Sequence, residues 1–391
     1  MRLTKRTLDV ELSPIAAAYA FLEQRSSDRR LLDLSQAAPA YPTADVIAEH
    51  VASIARSADG GRYAPSKGLP ELRAAVVDEL RAGHTTTDAT ADLSIDQIQI
   101  TAGCNQAFCV IASALCEPGD EMIISVPYYF NHRMWLDLAG VRPVFLKTGD
   151  DLVPDPERAA ELITDRTRAI LLVSPGNPTG TTIEPAILDA FFDLAEARGV
   201  ALILDETYRH FRPTDEPSHT LYARPNWDDT LITLHSFSKE FAIPGYRVGA
   251  ICAKQAVVDE ALKLLDCVAI CAPRIGQEAA LAGLQHAGDW RRAMAARTRT
   301  RQAAFTDAMA TDPGGFVLAN AGAYFGWVRH PHVGVGDREM VRRLVVDHDV
   351  LVIPGTAFTP TDERWLRFSF ANLEIDDFAE LANRLTEAGL R

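Results

Sequence analysis

The sequence has few cysteines, no long apolar run and no excess of positive charge. Its six cysteines among 391 residues lie mostly inside apolar stretches, as reduced core residues do, and no histidine cluster accompanies them to suggest a metal site. No apolar run approaches the length of a transmembrane helix, and the basic residues 1–6 are not followed by the apolar stretch of a secretory signal. The formal net charge of −14 disfavours nucleic-acid and membrane partners, so we expect a cytoplasmic protein.

The arrangement of apolar runs predicts two regions of different character. Between about residues 44 and 270, strand-like runs alternate with helical patterns, which indicates a doubly wound, mostly parallel seven-stranded α/β sheet. After about residue 275, long helical patterns are followed by a few strand-like runs, which indicates a smaller α+β domain. The seven predicted strands lie near 97–101, 121–126, 143–147, 169–174, 200–205, 231–235 and 248–253.

The most informative segment is residues 236–247, SFSKEFAIPGYR. Lys239 lies between small hydroxyl residues directly after an apolar run, and Arg247 follows behind a Pro-Gly turn. This layout is expected of a lysine that forms a Schiff base with an aldehyde cofactor, beside donors for the cofactor's phosphate. The segment resembles the lysine motif of the pyridoxal-phosphate-dependent aminotransferases of fold type I, class I/II.

Other motifs occur upstream in the order that this resemblance requires. Asp205 follows the apolar run 201–204, and a carboxylate at the end of such a strand points toward the ligand crevice. By resemblance, Asp205 binds the pyridinium nitrogen, whereas Tyr208 and Asn177 share the phenolic oxygen of the cofactor. Tyr129, in a Pro-Tyr-Tyr turn, corresponds to the aromatic residue that stacks on the cofactor ring.

The predicted phosphate site has two sides. A strand near 97–101 is followed by a glycine and then an apolar helix, and a helix N-terminus presents free N–H groups to an anion. The residues that resemblance places at the phosphate are Gly103, Cys104 and Asn105 on one side and Ser236, Ser238 and Arg247 on the other. Tyr63 resembles a tyrosine that reaches the phosphate from the neighbouring subunit, which implies a homodimer with shared sites.

Four residues concern the substrate: Asn177, which by resemblance contacts it as well as the cofactor, and three others. Arg367 alternates with apolar residues in a strand-like stretch and resembles the arginine that binds the α-carboxylate, for which its forked geometry is suited. Ala37 stands where many relatives have a glycine near that carboxylate. Arg274 stands where relatives have small hydroxyl residues, and one hypothesis is that it crosses the dimer to bind an anionic group. The alternative for Arg274 is an interface ion pair or a solvated side chain.

The resemblance covers about residues 30 to 371 and implies an aminotransferase that uses amino acid and 2-keto acid substrates. It also adds the N-terminus to the small domain, so we predict a large domain at 44–275 and a small domain at 1–43 and 276–391. One alternative keeps the cofactor but eliminates or replaces a β- or γ-group, as the similar aminocyclopropane-carboxylate synthases do. A non-catalytic homologue that binds the cofactor is a further alternative.

Overall fold

Three sheets organise residues 1–84 and 93–390, which are the residues that the computed structural model describes. The strands are β1 (Leu32–Asp33), β2 (Ile98–Thr101), β3 (Glu121–Val126), β4 (Arg142–Lys147), β5 (Thr167–Val173), β6 (Ala201–Asp205), β7 (Leu231–Ser236), β8 (Gly249–Cys252), β9 (Val317–Gly322), β10 (Phe325–Arg329), β11 (Val350–Leu351), β12 (Ile353–Pro354) and β13 (Trp365–Phe368). The α-helices are α1 (Lys5–Asp9), α2 (Pro14–Tyr19), α3 (Asp45–Arg56), α4 (Pro70–His84), α5 (Cys104–Leu115), α6 (Phe130–Ala139), α7 (Pro156–Leu162), α8 (Pro185–Arg198), α9 (Phe237–Glu240), α10 (Gln255–Ala269), α11 (Arg274–His286), α12 (Gly288–Met309), α13 (Asp337–His348) and α14 (Asp377–Gly389).

The largest sheet has seven strands in the order β2-β8-β7-β6-β5-β3-β4. Strand β8 pairs antiparallel with both of its neighbours, whereas the other adjacent strands pair parallel. The predicted mostly parallel seven-stranded sheet is therefore confirmed.

Apolar side chains of the central strands enter the cores on both faces of this sheet. Along β5, Ile170 and Leu172 join one apolar cluster, whereas Ala169 and Leu171 join the cluster on the other face. A strand buried on both faces has an almost continuous apolar sequence, because both sets of alternating side chains leave water. This explains why the central strands were recognisable from composition alone.

A second region contains the four-stranded sheet β12-β13-β10-β9 and the short pair of β1 with β11. Leu32 pairs with Val350, so the N-terminal segment joins the C-terminal part of the chain. These strands and the helices α12, α13 and α14 share a third apolar cluster. The smaller α+β unit is thereby confirmed, although its sheet includes β9, which the apolar pattern did not indicate. Within the described ranges, no helix has the length and apolarity that crossing a bilayer requires.

Candidate active site

One edge of the large sheet gathers the chemical groups that the sequence singled out. The parallel strands β5, β6 and β7 all end at this edge, just before Asn177, at Asp205 and at Ser236. Strand β8 runs in the opposite direction and therefore begins there, two residues after Arg247. Gly249 pairs with both Thr101 and Ser236, so the start of α5 lies at the same edge.

Lys239 lies on the short helix α9, directly after β7, and its Nζ donates a hydrogen bond to the carbonyl oxygen of Ala37. Burial lowers the pKa of Lys239 to about 8, and the positive charges of Arg247 and Arg367 contribute to the same shift. Burial and neighbouring cations both disfavour an ammonium ion. A neutral amine, the nucleophilic form, is therefore accessible near neutral pH.

Asp205 is buried and has two hydrogen-bond partners that stabilise its charge. His132 Nε2 lies 3.3 Å from Asp205 Oδ2, and the backbone N–H of Thr207 donates to Oδ1 at 2.9 Å. Burial opposes ionisation, but these hydrogen bonds outweigh it and keep the pKa of Asp205 below its usual value. His132 was not among the residues predicted from the sequence. Its position three residues after Tyr129, one turn along α6, was the available signal.

Arg367 lies on β13 and faces the same edge from the smaller region. Its Nη1 donates to Asn177 Oδ1 at 3.0 Å, and its Nη2 donates to the carbonyl oxygen of Ser35. The rings of Phe325 and Phe358 flank the guanidinium at 5.1 and 4.9 Å. Burial lowers the pKa of Arg367 to about 10, which leaves it charged at neutral pH. A buried, forked cation that lines a cavity is suited to binding a carboxylate.

Tyr208 lies beyond the end of β6, and its ring packs against Tyr324 and Phe325 with centroids 5.6 and 5.1 Å apart. Burial, reinforced by the neighbouring Tyr129, raises the pKa of Tyr208 well above its usual value. Its hydroxyl group therefore remains a hydrogen-bond donor at neutral pH.

The opposite end of the site is shaped for an anion. Gly103 precedes α5 with φ of +87°, and a Cβ atom there would lie under 3.0 Å from Arg247 Nη2. The glycine thus lets the arginine approach the first turn of a 12-residue helix. Arg247 is held by the carbonyl oxygens of Pro244 at 2.9 Å and Ala102 at 3.4 Å. A cation facing a helix N-terminus forms a site for a phosphate group.

Cys104 opens α5, where a helix N-terminus could have acidified its thiol. Instead, burial and the negative charge of Asp205 raise the pKa of Cys104 well above its usual value. The thiol therefore stays protonated, and its contribution to an anion site is its backbone N–H.

These groups surround one cavity of about 440 Å³. The predicted residues that line it are Ala37, Cys104, Asn105, Tyr129, Asn177, Asp205, Tyr208, Ser236, Ser238, Lys239, Arg247 and Arg367. Tyr129 donates to Asn105 Oδ1 at 3.3 Å and accepts from Asn131 Nδ2 at 3.0 Å, which holds its ring beside the cavity. Tyr128 instead stacks on Phe145 away from this cavity, so the geometry favours Tyr129 as the ring-stacking residue.

Three predicted residues do not line the cavity of their own subunit: Gly103, which lies behind Arg247, and Tyr63 and Arg274. Tyr63 is 75% exposed, and Arg274 Nε lies 3.5 Å from the carboxylate of Glu278.

Among the described residues, Glu79, His210 and Glu240 form one group with the spacing of metal ligands. Arg291, however, lies 2.9 and 3.0 Å from the two carboxylates and already supplies the positive charge.

The donor set of the cavity fits an aldehyde cofactor with a phosphate group. The amine of Lys239 shares the cavity with the carboxylate of Asp205 and with the anion-binding end, where Gly103 gives Arg247 its room beside the start of α5. These features match pyridoxal phosphate, which needs an amine for its aldehyde, a carboxylate for its ring nitrogen and donors for its phosphate.

Comparisons with known proteins agree with this geometry. Residues 29–385 match the family described as aminotransferase class I and II. The chain is 28% identical to the aromatic aminotransferase ISS1 of Arabidopsis thaliana, over 98% of this chain and 95% of the relative. It is also 28% identical to an aspartate aminotransferase of Pyrococcus horikoshii, over 99% of this chain and 97% of the relative.

A solved structure shows the same fold. An aspartate aminotransferase of Thermus thermophilus superposes with a TM-score of 0.89 at 26% identity, covering 99% of this chain and 100% of the other. The relatives named here are aminotransferases, so transamination is favoured over the elimination chemistry that the sequence left open. The chain belongs to the class I and II aminotransferases and is a pyridoxal-phosphate-dependent transaminase of fold type I.

Proposed function

We propose that Lys239 is the residue that binds the cofactor aldehyde and moves the proton during transamination. The observation that carries this proposal is the position of its Nζ, a buried amine with a pKa lowered to about 8, at the sheet edge between Arg247 and Arg367. In the net reaction, the amino group of one amino acid is exchanged for the keto oxygen of a 2-keto acid, which gives a new keto acid and a new amino acid.

The other residues of the cavity divide into those that hold the phosphate and those that hold the ring. Cofactor binding would use the N–H groups at the start of α5 (Gly103, Cys104, Asn105), together with Ser236, Ser238 and Arg247, for the phosphate. Asp205, kept ionised by its partners, would stabilise a proton on the ring nitrogen. Asn177 and Tyr208 would donate to the phenolic oxygen, and Tyr129 would cover one ring face.

The substrate is held by its carboxylate and loses a proton at its α-carbon. Arg367 provides the fork for the α-carboxylate, and Asn177 orients that fork through the 3.0 Å hydrogen bond. When bound, the cofactor supplies an electron-withdrawing ring that lowers the cost of removing the α-proton. Lys239 Nζ takes that proton, which a lysine can do near neutral pH because its pKa is close to the working pH. The carbonyl of Ala37 provides a hydrogen-bond partner that orients the amine.

We also propose a homodimer in which Tyr63 serves the phosphate site of the partner. Tyr63 is 75% exposed, and Val268 and Ile270 are 73% and 44% exposed. The segments that follow these residues are joined inside the chain, because the Gln277 side chain accepts a hydrogen bond from the N–H of Leu69 at 2.7 Å and donates one to the carbonyl oxygen of Ala272 at 2.9 Å. Large apolar side chains that are exposed on a subunit are available to form an interface.

Two further proposals concern organisation and location. The large domain at 44–275 and the small domain at 1–43 and 276–391 would meet at the cavity, since Ala37 and Arg367 line it from one side and Lys239 from the other. Ligand sites commonly lie at such boundaries. All six cysteines are unpaired, which supports a reducing compartment such as the cytoplasm.

The experiment that tests the role of Lys239 is covalent trapping. Holoenzyme is treated with borohydride and digested, and the peptide that carries the added cofactor mass is sequenced. We expect the label on Lys239, and we expect Lys239→Ala to lose amino acid turnover by about 10³-fold or more. Lys147→Ala, which replaces an exposed lysine, is the matched control. A label on another lysine, or full turnover in Lys239→Ala, would contradict the proposal.

A further inference from the structure

The charged groups of the cavity all lie where the cofactor and the α-carboxylate would bind. Asp205, Lys239 and Arg247 belong to the sheet edge of the cavity, and Arg367 faces it from β13. In the roles proposed above, these four groups are engaged by the cofactor and by the carboxylate of the substrate. The rest of the lining therefore receives the substrate side chain.

Every residue of the cavity lining other than these four is uncharged. One wall of the uncharged lining is built from the start of α2 and the start of α6 and includes Ser13, Ile15, Phe130 and Asn131. Its position relative to the carboxylate site follows from a chain of ring contacts. The ring of Phe358 lies 4.9 Å from the Arg367 guanidinium and 5.8 Å from the ring of Phe130. A substrate whose carboxylate binds Arg367 thus has its side chain within reach of Phe130.

Behind this wall lies a second cavity of about 260 Å³. Phe130 lines both cavities, and alternate residues of one segment separate them, since Ser13 and Ile15 face the first whereas Leu12 and Pro14 face the second. The other apolar residues that line the second cavity include Val10, Phe21 and Met134. The five charged side chains that line it are paired within the chain: Arg133 with Asp137 at 2.7 Å, Arg338 with Glu11, and Asp9 with Lys5. This lining therefore leaves no unpaired charge for a substrate beyond Phe130.

The arginine that the sequence suggested for an acidic side chain is already engaged. The Arg274 side chain is 19% exposed, and its Nε forms an ion pair at 3.5 Å with Glu278 Oε1, one turn later on α11. The same carboxylate group accepts a contact from His50 Nε2 at 3.1 Å. Freeing Arg274 for a substrate would leave Glu278, which is itself buried, without its nearest permanently charged partner.

We propose that this enzyme transaminates amino acids with large uncharged side chains, aromatic or branched aliphatic, in preference to aspartate and glutamate. The proposal rests on the proposed function, because it takes Arg367 as the carboxylate site. Ile15 and Phe130 are the specificity-determining residues, since they form the apolar part of the wall that meets the side chain. An acidic side chain would lose its hydration there without gaining a counter-charge.

The test uses full-length holoenzyme without any keto acid and follows the absorbance of the bound cofactor as amino acids are added. L-phenylalanine, L-tyrosine and L-leucine are compared with L-aspartate and L-glutamate by kcat/KM of this half-reaction. We expect the uncharged group to react at least about 10-fold faster, the scale on which apolar pockets discriminate. Faster conversion by aspartate or glutamate overturns this inference but leaves the proposed function intact. If none of the amino acids converts the cofactor, the proposed function itself fails.

A pair of variants locates the determinant. Ile15→Ala removes apolar contact, so kcat/KM for phenylalanine falls several-fold while that for aspartate is unchanged. Ile15→Arg adds a cation and raises kcat/KM for aspartate relative to phenylalanine. The matched control is Leu8→Ala, an exposed residue that lines neither cavity. A specificity ratio that stays at the wild-type value in both Ile15 variants, with normal cofactor absorbance, overturns the assignment of Ile15.

Discussion

His132 Nε2 lies 3.3 Å from Asp205 Oδ2, and both side chains are buried. The imidazole is packed between Phe108 and Tyr129, with ring centroids 4.3 and 5.0 Å away. This packing fixes the ring so that it can favour the ionised form of the carboxylate. His132 is therefore a positioning residue, because it acts on the cofactor through Asp205.

Replacing His132 by phenylalanine keeps the packing but removes the hydrogen bond to Asp205. We expect kcat to fall by about 10- to 100-fold, the value of a hydrogen bond to a charged group. The partners of Asp205 lower its pKa, so its charge is lost only when the pH falls through that lowered pKa. Without His132 the pKa rises, and the acid limb of the kcat profile moves to higher pH. His286→Phe is the exposed control. An unmoved acid limb in His132→Phe would contradict this role.

Alanine variants of Gly103 and Gly119 distinguish the effect of backbone strain from the effect of crowding at the phosphate site. Both have positive φ, +87° and +98°, but a Cβ atom at Gly119 meets nothing within 4 Å, whereas one at Gly103 meets Arg247. We expect each alanine variant to lose about 1–3 kcal/mol of stability, because side chains rarely adopt a backbone conformation with positive φ. Only Gly103→Ala is expected to weaken binding of pyridoxal phosphate, by about 10-fold or more, as measured by titration of apoenzyme. Equal cofactor affinity in the two variants would argue against an anion site at α5.

The lowered pKa of Lys239 predicts that the folding stability of the cofactor-free protein depends on pH. Unfolding returns the amine to its usual pKa of 10.5 from about 8, so below pH 8 the folded state bears the full cost of a buried ammonium. We expect Lys239→Met apoenzyme to be more stable than the wild type at pH 7, on the order of 3 kcal/mol. This advantage shrinks as the pH rises from 8 toward 10.5. Thermal unfolding across this range tests it, with Lys147→Met as the exposed control. A constant difference at all pH values would rule out ionisation as its cause.

The residues at this edge of the sheet could be predicted from the sequence because each of them lies close in sequence to the strand that positions it. Asp205 follows the apolar residues 201–204, and Lys239 follows the buried strand 231–236, which begins with a mostly apolar run. Such runs are recognisable without knowledge of their neighbours. His132 was not predicted because it lies on a helix that is far from Asp205 in sequence, so that only the fold brings the two residues together. Ile15 was not predicted for the same reason, since the start of the chain is held beside the cavity by residues far away in sequence, as in the pairing of β1 with β11. Long-range packing, which no local pattern records, supplies these parts of the site.

The exposure of Tyr63 predicts that two inactive variants restore each other. If Tyr63 serves the partner's phosphate, Tyr63→Ala loses cofactor affinity, and Lys239→Ala loses turnover. A hybrid dimer of the two variants then contains one intact site, made of Lys239 from one subunit and Tyr63 from the other. We expect activity to appear when the variants are unfolded together and refolded, and to be absent when each is refolded alone.

The matched control for this experiment is a double variant that carries Tyr63→Ala and Lys239→Ala in one chain, because such a chain supplies neither residue to a hybrid dimer. Mixing the double variant with Lys239→Ala pairs no chain that supplies Lys239, so this mixture must stay inactive. Recovered activity in the first mixture and none in the second assigns Tyr63 to the neighbouring site. Failure of the first mixture, in protein that sedimentation shows to be dimeric, would mean that Tyr63 acts within its own subunit or not at all.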